Sequence, residues 1–144
     1  MLLKNKLFIL LLVLLPLCAC SQQNEGIHIS SAKMTTEVIT SNQRLVPLEV
    51  TNSFPEGTQK VSCWFQWKSA SENTQIIAHW YFVTDNIHIL DLTVSIPRKE
   101  GSGGIALTMP QEKNLPVGNY RVDLTTTEGK VLRSLHFSVG YPKS

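Results

Sequence analysis

Residues 61–68 read Val-Ser-Cys-Trp-Phe-Gln-Trp-Lys, and this stretch decides the fold class. Apolar residues occupy every second position from Val61 to Trp67. An alternation with a period of two predicts a β-strand that buries one face, here the face that carries Cys63. We therefore expect Cys63 to be a buried, unreactive thiol, and we expect Trp64 to point away from the core.

Two alternating segments precede this strand. Residues 27–29 alternate in a first strand, which we expect to resume around residues 37–39. Residues 46–50 alternate around Pro47. Because proline has no N–H for a sheet ladder, we expect this second segment to be an edge strand or to contain a bulge.

Strand patterns also continue toward the carboxyl terminus. Residues 76–83 are apolar on both faces except at His79, which predicts a central strand, and residues 84–86 are typical of a hairpin turn. In the strand after that turn, the alternation places His88 on one face with Leu90 and Leu92, opposite Asp91. The remaining segments are a long charged and glycine-rich loop at 97–104 and three further strands, at 105–109, around 120–124 and at 131–139.

The whole pattern predicts an all-β protein. No window of helical length shows apolar residues at a period of 3.6. The 144 residues are 42% hydrophobic and 17% charged, which is typical of a single small globular domain. We predict seven or eight strands in a two-sheet antiparallel sandwich over residues 27–140, followed by a tail at 141–144.

Three landmarks in these strands resemble those of an immunoglobulin-like fold. They are Cys63, Trp80 seventeen residues later, and the segment Gly118-Asn119-Tyr120-Arg121-Val122. Tyr120 takes the place of the tyrosine corner, which implies a bond from its hydroxyl to backbone a few residues upstream, and Val122 stands where the second cysteine of a disulfide would be. The segment is similar to many bacterial immunoglobulin-like domains of envelope lipoproteins. The resemblance implies an architecture and no activity.

The amino terminus resembles a lipoprotein export signal. Lys4 and Lys6 precede an uncharged apolar run, and Leu17-Cys18-Ala19-Cys20 resembles the bacterial lipobox. The resemblance implies a signal peptide over residues 1–19 and a lipidated Cys20, whose acyl chains, such as palmitate, anchor the chain. A transmembrane helix needs about 20 apolar residues, more than this run supplies. Cleavage to a soluble secreted form is the alternative.

Residues 20–26 continue as the lipidated cysteine and a polar tether. Ser21 stands where lipoproteins retained in the inner membrane carry Asp, so the resemblance favours the outer membrane, without deciding which of its faces. With Cys18 removed and Cys20 lipidated, Cys63 would be the remaining thiol of the exported domain.

The charge balance excludes one class of partner. The chain has 13 Lys and Arg and 11 Asp and Glu, and removal of Lys4 and Lys6 makes these counts equal. A formally neutral domain lacks the basic surface that phosphate neutralisation requires, so we expect no nucleic-acid partner.

We expect no catalytic site, no metal site and no cofactor. The histidines at positions 28, 79, 88 and 136 show no short spacing on one strand face, as zinc or copper ligands usually do. No nucleophile-elbow motif places a serine on a strained turn. The glycine-rich residues 98–104 precede a strand, so they lack the helix amino terminus that holds a phosphate.

The candidate binding residues are outward side chains and a charged loop. They are Trp64, Tyr81, His79, Arg98 and Lys99. An exposed aromatic patch on a small domain usually marks a binding surface. The alternative is that loops or the amino-terminal strand cover these side chains.

Three functions remain open at this point. The first is a lipid-anchored, non-catalytic module that docks to another envelope protein through sheet edges, loops or outward aromatics. The second is a glycan- or peptidoglycan-binding module in which Trp64 or Tyr81 stacks on sugar rings. The third is an envelope enzyme or inhibitor, which clustered polar side chains in a cleft would indicate.

Overall fold

The computed structural model describes residues 26–140. The predicted signal peptide, the lipidated Cys20, most of the tether and the tail at 141–144 lie outside the described residues. Within residues 26–140, no helix has the length and apolar character needed to cross a membrane.

Nine β-strands and one short 3₁₀ turn make up the described chain. The strands are β1 (His28–Ser41), β2 (Arg44–Val50), β3 (Ser53–Phe54), β4 (Lys60–Lys68), β5 (Gln75–Phe82), β6 (Ile87–Ser95), β7 (Gly101–Thr108), β8 (Gly118–Thr125) and β9 (Val131–Val139). The 3₁₀ turn spans Pro110–Glu112. The all-β prediction is confirmed, and the count exceeds the predicted seven or eight because β3 is too short to leave an alternating pattern.

The strands form two sheets that pack face to face. Sheet A has the order β2-β1-β4-β7, and sheet B has the order β3-β9-β8-β5-β6. Every pairing is antiparallel except that of β3 with β9, which is parallel. The run β9-β8-β5-β6 opposite β4 and β7 is the G-F-C-C′ arrangement of an immunoglobulin sandwich opposite strands B and E. Among the described strands none follows β7 in sheet A, so β7 is an edge.

The core lies between the sheets and contains the landmarks that the sequence predicted. Cys63, Trp80 and Val122 are completely buried, and Trp80 lies opposite Val122 on the neighbouring strand. Tyr120 and Phe137 stack with their ring centroids 5.0 Å apart. Burial of each large apolar side chain stabilises the fold by about 1.5–3 kcal/mol, so this aromatic layer is a major source of stability.

The tyrosine corner has the geometry implied by the resemblance. The Tyr120 hydroxyl donates a hydrogen bond of 2.6 Å to the carbonyl oxygen of Pro116, four residues upstream. Burial raises the pKa of Tyr120 to about 12, so the hydroxyl keeps its proton. Gly118 opens β8 beside the Phe82 ring, where a Cβ atom would come within 2.5 Å of a ring carbon.

The β4 strand follows its predicted register. Val61, Cys63, Phe65 and Trp67 are all buried on the inward face. Burial raises the pKa of the Cys63 thiol to about 12, which opposes formation of the reactive thiolate. β2, which contains Pro47, is an edge strand of sheet A, as predicted. β5 lies inside sheet B between β8 and β6, although one strand from the edge rather than at the centre.

The predicted loop at 97–104 is wrong in its second half. β7 begins at Gly101 and pairs with β4 from Trp67 to Lys60 without a register shift. Its glycines are there because large side chains pack on the backbone. A Cβ atom at Gly101 would lie 2.8 Å from the Trp67 ring, and one at Gly104 would lie 2.9 Å from Val38. Glycine here permits close packing rather than a loop.

Candidate functional site

Trp64 points away from the core as predicted, and of the two alternatives for its side chain the structure has the covered one rather than the exposed patch. Its side chain is only 7% exposed. The second half of β1 continues beyond its pairing with β4 and, with β2, covers the outer face of sheet A. The Trp64 indole N–H donates a 2.7 Å hydrogen bond to the carbonyl oxygen of Leu45, which also accepts one from Ser102. The amino-terminal hairpin thus turns this outward face into a second buried layer.

Tyr81 lies on the outer face of sheet B and is half-buried. The Arg121 guanidinium sits 4.4 Å from the centre of its ring, in a cation–π contact, and the His88 ring packs against it with centroids 5.2 Å apart. Trp64 and Tyr81 belong to different sheets, so they do not form a joint aromatic platform.

Arg98 and Lys99 lie in the loop between β6 and β7, which backbone hydrogen bonds hold in place. The Arg98 carbonyl oxygen accepts a bond from the Trp67 indole, and the Lys99 carbonyl oxygen accepts one from the Ala70 N–H. Arg98 lines a cleft of about 650 Å³ together with Arg44. Arg98 and Lys99 also line a second cleft of about 510 Å³ with Gln75 and Ser95 of sheet B. Neither cleft includes His79 or Tyr81, so the structure separates the loop from these two residues.

The most concentrated polar group on the described chain is an imidazole–carboxylate cluster formed by His79, His88 and Asp91. Both histidines face the same oxygen of Asp91, with His79 Nδ1 at 2.6 Å and His88 Nε2 at 2.7 Å from Oδ1. The His88 and Asp91 side chains are about half exposed, whereas the His79 side chain is 23% exposed. The hydrogen bond from His88, supported by that from His79, lowers the pKa of Asp91.

A β-bulge brings these three residues together. His79 lies opposite Asp91 in the β5–β6 ladder, and the register shifts between Trp80 and Tyr81, so that Tyr81 lies opposite His88. On a regular strand, positions 88 and 91 would be on opposite faces, because their separation is odd. The extra residue of the bulge turns His88 to the face of Asp91. The predicted placement of His88 with Leu90 and Leu92 is therefore wrong. His79 and His88 come together from two neighbouring strands, an arrangement that spacing along one strand does not reveal.

Thr125 on β8 fixes the other side of the His79 ring. Its side chain is only 4% exposed, and its Oγ1 lies 2.9 Å from His79 Nε2. Thr125 Oγ1 also lies 3.0 Å from the carbonyl oxygen of Thr126. Thr125 Oγ1 and His79 Nε2 are hydrogen-bonded to each other, and the His79 tautomer sets which of them donates. The arrangement holds the imidazole in one orientation toward Asp91.

A second polar pair borders the cluster. Asp123 lies opposite His79 on β8, accepts a 3.1 Å hydrogen bond from Arg121 Nε, and accepts another from the Ser134 hydroxyl at 2.7 Å. Since Asp123 already has two donors, its charge is paired with Arg121 rather than with the histidines. The outer face of sheet B therefore carries two separate acid–base groups in adjacent rows.

The free edges of the two sheets differ in how they are protected. β2 contains Arg44, Pro47 and Glu49, β3 is two residues long, and β6 carries the bulge and Asp91. Charges, proline, bulges and short length are the devices that keep sheet edges from pairing with other chains. β7 reads Gly-Ser-Gly-Gly-Ile-Ala-Leu-Thr, without charge, proline or bulge, and β4 is the only described strand that pairs with it. We name this strand the β7 edge.

Comparison with solved structures bears on the fold. An immunoglobulin-like protein from Pseudomonas aeruginosa superimposes on 81% of this chain and 98% of its own, with a TM-score of 0.53 at 13% sequence identity. A β-glucuronidase from Bifidobacterium dentium matches 80% of this chain and 17% of its own, with a TM-score of 0.42 at 13% identity. An alkylpurine DNA glycosylase from Pseudomonas fluorescens matches 76% of this chain and 30% of its own, with a TM-score of 0.41 at 11% identity.

The sequence itself matches no protein family and no characterised protein. The likeness to the Pseudomonas aeruginosa protein, at this identity, concerns architecture alone. Together with the strand order and the tyrosine corner, it identifies residues 26–140 as an immunoglobulin-like β-sandwich.

Proposed function

We propose that this chain is a lipid-anchored, non-catalytic protein of the bacterial envelope whose immunoglobulin-like domain binds an extended segment of another envelope protein. The β7 edge is the proposed binding site, and the observation that carries the proposal is that this edge strand has no charge, no proline and no bulge. The outer membrane is the proposed location, with the Cys20 acyl groups as the anchor and residues 21–26 as the spacer.

Strand addition uses the groups that the β7 edge offers. The outer N–H and C=O groups of an edge strand are unpaired and spaced to form a ladder with an incoming extended chain. β7 pairs with β4 over eight consecutive residues without a shift, so its free side is equally regular. In this binding mode, main-chain hydrogen bonds supply affinity, and alternating side chains supply specificity.

The aromatic residues give the glycan alternative less support than the sequence suggested. Stacking on a sugar ring requires an open aromatic face. The Trp64 ring is buried under the amino-terminal hairpin, and the Tyr81 ring is flanked by Arg121 and His88. The β7 edge needs none of these rings.

Photo-crosslinking in intact cells tests the edge. A photoreactive phenylalanine analogue at Thr108, exposed at the end of β7, should form an adduct with one other envelope protein. The matched control is the same analogue at Thr93, which is exposed on the edge strand β6 and should form no such adduct. Ala106→Lys adds the charge that edge strands use for protection, and it should abolish the Thr108 adduct, whereas Thr93→Lys should not.

Three outcomes contradict the proposed edge. Equal adducts at Thr108 and Thr93 would indicate nonspecific proximity. Adducts that contain only a second copy of this chain would show self-pairing instead of a partner protein. An adduct that survives Ala106→Lys would place the contact elsewhere. Thermal unfolding of Ala106→Lys checks that the variant remains folded.

The anchor has its own test. Cys20→Ser should block both acylation and signal cleavage, so intact-mass analysis should find the unprocessed chain in the variant and the acylated, shortened chain in the wild type. Acyl groups on Cys18, or none on the wild type, would contradict the anchor while leaving the edge proposal untouched.

A further inference from the structure

The imidazole–carboxylate cluster brings three metal-ligating side chains to one point. His79 Nδ1 and His88 Nε2 lie 2.6 and 2.7 Å from the same oxygen of Asp91, Oδ1. Thr125 Oγ1 on β8 bonds to the other ring nitrogen of His79. The side of the cluster formed by His88 and Asp91 is open to solvent, since both side chains are about half exposed.

We propose that His79, His88 and Asp91 form a binding site for a borderline divalent transition-metal ion, of which Zn²⁺ is the representative. The ligands are His79 Nδ1, His88 Nε2 and Asp91 Oδ1, and these atoms all lie within 4.8 Å of one another. Two imidazoles and one carboxylate suit Zn²⁺ and the neighbouring first-row transition metals. Mg²⁺ and Ca²⁺ instead take oxygen ligands, so they fit this set less well.

The geometry needs only small side-chain adjustments. With metal–ligand bonds of about 2.0–2.2 Å, ligand atoms in a tetrahedral site lie about 3.3 Å apart. The two nitrogens must therefore move back from Asp91 Oδ1 by less than about 1 Å and approach each other. The half-exposed side chains of His88 and Asp91 have room for this movement, and water fills the fourth position from the solvent side.

Thr125 acts as a positioning residue for the metal. Histidines that bind metals usually donate their second ring N–H to an oxygen atom, which fixes the tautomer and the ring orientation. The buried Thr125 Oγ1 is such an acceptor for His79 Nε2–H, and it lies on a third strand, β8. Metal binding uses the lone pairs of His79 Nδ1 and His88 Nε2, for which protons compete.

Calorimetric titration of the full-length chain, purified in detergent and stripped of metal, tests the site with Zn²⁺ as the probe. We expect one Zn²⁺ per chain, and we expect His79→Gln, His88→Gln and Asp91→Asn each to weaken binding by at least about tenfold. The matched control is His136→Gln, which removes an exposed imidazole on β9 outside the cluster and should leave affinity unchanged.

Thr125→Val should weaken Zn²⁺ binding by about 10- to 100-fold through loss of ring orientation. An NMR spectrum of the imidazole nitrogens gives a readout other than affinity, because Zn²⁺ should shift Nδ1 of His79 and Nε2 of His88 and leave His136 unaffected. The proposal is overturned if the wild type binds no stoichiometric Zn²⁺, or if His136→Gln weakens binding as much as His88→Gln. Crosslinking at the β7 edge is independent of these outcomes.

Discussion

The two outer faces of the sandwich differ in solvent exposure, although the strands beneath both faces carry outward aromatic side chains. On sheet A, the outward side chain Trp64 is covered by the β1–β2 hairpin and donates a hydrogen bond to Leu45. On sheet B, the outward side chains His79 and Tyr81 remain partly accessible and interact with polar neighbours. Pointing away from the core and being exposed are thus separate properties, and the second depends on what the rest of the chain places above the sheet.

The largest expected effect is at Trp64. Trp64→Ala should lower the free energy of unfolding by about 3–5 kcal/mol, because it removes a buried ring and leaves a cavity under the hairpin. Trp64→Phe keeps most of the volume and loses the indole hydrogen bond to Leu45, so it should have a smaller effect. Urea unfolding measures both. A change below about 1 kcal/mol for Trp64→Ala would mean that the hairpin does not cover this face.

Gly104 on β7 tests whether the β1–β2 hairpin packs on the outer face of sheet A. Gly104→Ala places a Cβ atom 2.9 Å from Val38, and such overpacking should cost about 1–3 kcal/mol. Val38→Ala in the same chain should recover part of the loss by making room for the added methyl group. Unfolding of the two single variants and the double variant gives the coupling energy. Additive losses would show that Val38 and Gly104 are not in contact.

Tyr120 provides a reference within the core, between the two faces. Tyr120→Phe should lower the free energy of unfolding by about 1–2 kcal/mol, because it leaves the Pro116 carbonyl without its donor and keeps the ring stack with Phe137. Urea denaturation of this variant and of the wild type measures the difference. An unchanged midpoint would indicate that the tyrosine corner does not contribute to stability.

The smallest expected effect is at Tyr81 on the open face. Tyr81→Ala should change the free energy of unfolding by no more than about 1 kcal/mol, because the half-buried ring loses only its surface contacts with Arg121 and His88 and leaves no enclosed cavity. Thermal unfolding compared with Trp64→Ala is the measurement. A loss as large as that of Trp64→Ala would mean that both outer faces are buried layers.

Local patterns in the sequence were sufficient for the parts of the fold that depend on alternation. The inward set of β4 and the place of Tyr120 follow from period-two spacing and from a short motif, and the structure has both. Whether Trp64 is covered or exposed could not be decided from the sequence, because it depends on where a hairpin remote in sequence folds back. For the same reason the glycines of β7 were predicted to form a loop. They are instead required by close packing against the side chains of Trp67 and Val38 on other strands.

The cluster of His79, His88 and Asp91 was missed because a β-bulge adds one residue to the strand. The bulge between Trp80 and Tyr81 changes the face on which His88 lies, and period-two counting contains no signal for such an insertion. His79 was singled out for its position on an apolar strand, but its partners Asp91 and Thr125 are reached only through the pairing of β5 with β6 and β8. A bulge beside paired polar residues is the signal to search for in similar sandwiches.

The order of strands in sheet A also defines a path for mechanical force. β1 begins at His28, opposite Lys68 near the end of β4, and β4 pairs in turn with β7. A pull between the amino-terminal end of the domain and a chain held along β7 would pass through two hydrogen-bonded ladders, of seven and eight residue pairs, within a single sheet. Such a pull loads these ladders directly and leaves sheet B outside the path of tension. Resistance of the domain to stretching would then be set by sheet A.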